Sequence, residues 1–89
     1  MTTVFVVLER YECDAYVHLF KKREDAEKKL SDLKFEWIED HSDLKGQDLK
    51  NELLVKTGQS DIMKAIDQKY DRINESRYSE ITLDEMSIL

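Results

Sequence analysis

Eighty-nine residues with a hydrophobic fraction of 40% can bury one small core, so the chain reads as a single domain over residues 1–89. A charged fraction of 38% and a net charge of −6 argue against direct nucleic-acid binding, because an acidic chain repels phosphate, and favour a partner with a basic surface. The absence of proline and the presence of only two glycines, Gly46 and Gly58, exclude long irregular loops.

The opening "MTTVFVVLER" has no basic region of the secretory kind, and its apolar run is too short to span a membrane. Within it, "TVFVVLER" places Val4, Val6 and Leu8 on one side of a strand and Phe5 and Val7 on the other. A strand apolar on both sides is expected at the centre of a sheet. After "RYECD", where Asp14 is the residue expected to take an unusual turn conformation, "AYVHLF" alternates again. Ala15, Val17 and Leu19 oppose Tyr16, His18 and Phe20, which predicts a second strand in a hairpin with the first.

From about Lys22 the period changes. Ala26, Leu30, Leu33 and Trp37 recur at four, three and four, one stripe of a helix. Glu24 and Asp25 sit in its first turn, where they favour the positive end of the helix dipole. Phe35 and Ile38 fall off the stripe, so the end of this helix is apolar on more than one side. "EDHSDLKGQD" is the break. Asp48 is expected to cap a short helix running to about Lys56. Gly58 suits the left-handed position after a helix, and Ser60 suits the next N-cap. Ile62, Ile66, Tyr70 and Ile73 then predict a third helix to about Asn74, and "RYSEITLDEMSIL" returns to alternation as a third strand, expected beside the first. The predicted class is α+β: a small antiparallel sheet of about three strands with two to three helices packed on one face, in the order β-β-α-α-α-β.

Chemistry-bearing residues are sparse. Cys13 and His18 could form a thiol–imidazole pair, but no third group orients them. Glu39, Asp40, His41 and Asp43 are of metal-ligating type, yet neighbouring helix residues point in different directions and no second ligand pair appears. No catalytic, cofactor-binding or metal residue is assigned on these grounds, and a small metal- or thiol-dependent enzyme stands as a lesser alternative. The acids from Glu36 to Glu85, Glu75 among them, could imitate the phosphates of DNA, but Lys45, Lys50, Lys64, Lys69, Arg72 and Arg77 interrupt the row. Trp37 either is core with Phe35 covering the short second helix, or Phe35 or Ile38 anchors a partner, flanked by Glu36, Glu39, Asp40 and Asp43, with Gly46 allowing the surface to adapt; this stretch is the candidate binding surface.

The opening "VFVVLERYE…AYVHLFKKREDAEKKL" resembles a group of small uncharacterised ββα-type proteins of bacteriophages and bacterial mobile elements, over residues 4–30 and again at 78–85. The matching positions at the helix start are Phe20, Arg23, Glu24, Asp25 and Ala26, and Lys22 stands where serine is usual. The resemblance implies a compact genome rich in small proteins that bind and disable host machinery. The expected function is therefore a non-enzymatic protein-binding module, a phage-type accessory or inhibitor (for example anti-defence or anti-CRISPR). It would act as a monomer or homodimer in the cytoplasm of a bacterial host, without a cofactor.

Overall fold

A computed structural model of the chain describes residues 2–74 and 79–88. The elements run β1 (Thr2–Arg10), β2 (Ala15–Phe20), α1 (Arg23–Asp40), α2 (Gly46–Thr57), α3 (Ile62–Asn74) and β3 (Glu80–Ile88). This is the predicted α+β order, with one three-stranded antiparallel sheet in the order β2-β1-β3. Glu75, Arg77 and Tyr78, which the sequence reading also drew on, lie outside the described residues. The chain divides into two compact units, Met1–Leu33 with Tyr78–Leu89, and Lys34–Arg77.

In the first unit, the strand with two apolar sides takes the centre, as expected. Residues paired across antiparallel strands share a face. Val7 pairs with His18 and Leu83, and Glu9 with Tyr16 and Ile81, which defines the inner face. Val7 and Ile81 are buried there, and Ala26 and Leu33 of α1 supply the unit's other buried apolar side chains. Glu9 is the buried acid of this face. One of its carboxylate oxygens accepts from the Tyr11 hydroxyl at 2.8 Å, and the other meets His18 Nε2 at 2.5 Å. A buried carboxylate is tolerated only with such partners. The turn from β1 to β2 closes through Tyr11 N–H donating to the Asp14 carbonyl at 2.7 Å. No described non-glycine residue has a positive φ, so Asp14 does not adopt the left-handed conformation expected of it. Residues 11–14 form a loop long enough to reverse the chain without one.

The second unit contains the last part of α1, all of α2 and all of α3. Trp37, Ile38, Leu49, Leu53, Ala65, Ile66 and Tyr70 are its buried apolar residues. Trp37 and Tyr70 meet edge to face, with ring centroids 5.2 Å apart, a geometry aromatic pairs favour. Lys34 is buried as well. Its ammonium pairs with Asp67 and sits 5.1 Å from the centre of the Tyr70 ring.

The helix ends show which polar groups fix the chain. The His41 ring accompanies the end of α1, its Nδ1 lying 2.7 Å from the Trp37 carbonyl. A carbonyl only accepts, so Nδ1 carries the proton and satisfies one of the orphan acceptors of that end. Helix α2 begins two residues before the expected cap. Lys45 is the N-cap and offers no side-chain bond. The N–H of Gly46 instead donates to Glu39 Oε2 at 2.8 Å, and Lys45 Nζ donates to the Glu39 carbonyl. Asp48 therefore lies inside the first turn, where it still favours the dipole. Gly58 closes α2 as expected, at φ 71°, with its N–H on the Leu54 carbonyl at 3.1 Å. The cap of α3 is Asp61 rather than Ser60: Asp61 Oδ1 accepts from Met63 N–H at 2.9 Å. Both residue types cap well, and the helix starts immediately after the aspartate.

Candidate functional site

The surface expected to bind a partner runs from Phe35 to Asp48, and the structure divides its six named residues. Ile38 has no exposed surface at all, which corrects its assignment as an anchor. It follows Trp37 by one residue, about 100° around the helix, and both side chains are buried among the helices of the second unit. Phe35 is half-buried, and Lys50 of α2 reaches across its ring at 5.3 Å from the centre. Phe35 thus covers α2. Glu39 is half-buried and occupied with the start of α2. Glu36, Asp40 and Asp43 remain exposed to solvent. What survives of the predicted surface is a group of solvated acids beside one partly covered aromatic ring.

The second unit also holds a concavity of about 790 Å³. Ile38, Leu49, Leu53 and Ile73 contribute apolar walls, and Glu52, Lys56, Lys69, Asp71 and Arg72 line it with both signs of charge. Lys56 and Glu52 pair with each other at 2.5 Å. His41, also on its lining, holds the helix end through Nδ1.

The other chemistry-bearing residues are similarly engaged. His18 Nε2 is held by Glu9, and Cys13 is exposed. Among the described residues, no three His, Cys, Asp or Glu side chains converge as metal ligands. Among the described residues, three acids of the row pair with a base, Glu52 with Lys56, Asp67 with Lys34, and Glu80 with Arg10 at 3.6 Å.

The surface that the sequence reading missed lies on the first unit. The outer face of the sheet carries Val4, Val6 and Leu8 along β1, Val17 and Leu19 on β2, and Met86 and Ile88 on β3. Relative exposure is 62% at Val17, 67% at Leu19, 54% at Met86 and 51% at Ile88. Seven apolar side chains thus share one open face, in a chain with 38% charged residues. The charges on this face are Arg10 and Glu80, paired at one end, and Asp84 next to Val6. The signal was present in "TVFVVLER": a strand apolar on both sides needs cover on both. Comparison of the chain with protein-family models, with curated proteins and with solved structures gives no match.

Proposed function

We propose that the chain is a non-enzymatic protein-binding module of the phage accessory or inhibitor kind, and that the outer face of its sheet is a docking surface. The observation that carries this reading is the exposure of Val17, Leu19, Met86 and Ile88 on one face with Val4, Val6 and Leu8. The largest exposed apolar patch of a protein is often a contact site. The resemblance of residues 4–30 to small phage and mobile-element proteins supports a bacterial host complex as the target. The exposed acids Glu36, Asp40 and Asp43 suit a target with a basic rim, because rim charges accelerate encounter more than they hold the complex.

The test is affinity capture from bacterial lysate with three baits: the native chain, Leu19→Lys, and the double variant Asp40→Lys/Asp43→Lys. The reading expects a partner recovered reproducibly by the native chain, lost with Leu19→Lys, and recovered more slowly and with less salt dependence by the double variant. A native bait that enriches nothing above a tag-only control refutes it.

A further inference from the structure

We infer that the concavity of the second unit is a binding site for a small polar molecule bearing one oxyanion, a phosphate ester or a carboxylate, which Lys69 and Arg72 hold. The inference goes beyond the docking face of the sheet and fails or stands separately from it, because every residue lining the concavity belongs to Lys34–Arg77. Three observations carry it.

The first is unbalanced charge. Three bases and two acids line the concavity, in a chain that has fourteen bases and twenty acids overall. Of the two acids, Glu52 is taken by Lys56 at 2.5 Å. Lys69 and Arg72 form no ion pair among the described residues. They stand three residues apart on α3, which makes them neighbours on one helix face, where like charges repel. Arg72 lies in the last turn and favours the helix dipole there, but Lys69 is half-buried, and an ammonium withdrawn from water calls for a counter-charge. An anion between the two removes their repulsion and accepts from both. The guanidinium supplies a fork that matches two oxygens of a phosphate or a carboxylate.

The second is the polarity of the remaining lining. Ile38, Leu49 and Leu53 are almost wholly buried, so they back the concavity without presenting an apolar slot. The groups within reach of a ligand are polar. Gln68 is exposed, and its side-chain amide is uncommitted among the described residues. His41 gives its Nδ1 proton to the Trp37 carbonyl, which leaves Nε2 of the neutral ring as an acceptor. An amide and an imidazole acceptor suit hydroxyl groups, so the body attached to the oxyanion is hydroxylated rather than a hydrocarbon tail.

The third is size. The volume of about 790 Å³ lies inside the range of about 300–1,000 Å³ typical of small-molecule sites. Contacts to solvent-exposed charges are individually weak, so the expected dissociation constant is about 1 mM.

The test is an amide NMR titration of the full chain with ribose 5-phosphate, gluconate and neutral ribose, each taken to about 20 mM, well above that constant. At least one of the two anions is expected to shift the amides around Lys69 and Arg72. The same anion is expected to change Trp37 fluorescence, because the His41 ring lies 4.3 Å from the indole, centroid to centroid. The tighter of the two identifies the oxyanion as phosphate or carboxylate. Ribose is expected to produce neither change. Lys69→Gln/Arg72→Gln is expected to weaken binding at least tenfold with an unchanged circular dichroism spectrum. Asp71→Asn removes the acid of the lining that has no basic partner, and is expected to tighten binding about threefold, the effect of one nearby charge in water. If the double variant does not fold, Asp71→Asn decides alone. The proposal is overturned if neither anion shifts α3, if ribose binds as tightly, if the shifts are confined to the first unit, if binding survives the double variant, or if Asp71→Asn fails to tighten it.

Discussion

Replacing Ile38 with alanine separates a core residue from a surface anchor. The side chain is wholly buried in the second unit. Truncation removes three carbons, worth about 2.4 kcal/mol at about 0.8 kcal/mol per buried methylene. The cavity left behind raises the cost to about 3–4 kcal/mol, inside the range seen for large-to-alanine changes in cores. An 89-residue chain has an unfolding entropy near the midpoint of about 0.19 kcal/mol/K, so the melting temperature should fall by about 15–20 °C. If the second unit melts by itself the entropy is smaller and the fall is larger. The assay is built into the chain. Trp37 is its only tryptophan and lies in that unit, so intrinsic fluorescence on heating follows the loss of these contacts directly. Phe35→Ala is the comparison. Its ring is half-buried under Lys50, and its loss should cost about 1–2 kcal/mol, for partial burial and an exposed cation–π contact. A fall of less than about 5 °C for Ile38→Ala, against the full fall worked above, would refute the assignment of Ile38 to the core. The helix end would then present its apolar residues to solvent.

Two further outcomes follow from particular contacts. Lys34→Met should be neutral or stabilising, because it keeps the packing against Tyr70 and removes an ammonium from a buried position. Asp67→Ala leaves that ammonium without its partner and should cost about 1 kcal/mol, a modest figure because Asp67 is itself well exposed; the urea midpoint should fall for Asp67→Ala and should not fall for Lys34→Met. Gly58→Ala should cost about 1–2 kcal/mol through backbone strain at φ 71° alone, since an added Cβ meets nothing within 4 Å; an equal melting temperature for variant and native chain would show that the helix end relaxes.

The secondary structure of this chain was written in its sequence because it depends on short-range periodicity. Alternation in "TVFVVLER" and "AYVHLF" gave two strands, the spacing of Ala26, Leu30, Leu33 and Trp37 gave a helix, and Gly58 marked where α2 stops. Each signal lies within a few residues of the backbone it controls. The caps were less legible, since Ser60 and Asp61 are equally good neighbours and only the geometry of the turn selects between them. The start of α2 was hidden for another reason: the acceptor for Gly46 N–H is Glu39, seven residues back and on another helix. Ile38 was misplaced because burial at the end of α1 depends on α2 and α3, and a single stripe does not report how many neighbours a helix has. The outer face shows the division most clearly. The sequence by itself determined that β1 is apolar on both sides. Only the pairing of Val17, Leu19, Met86 and Ile88 onto one of those sides, through registers set between distant segments, decided that one face is buried and the other lies open.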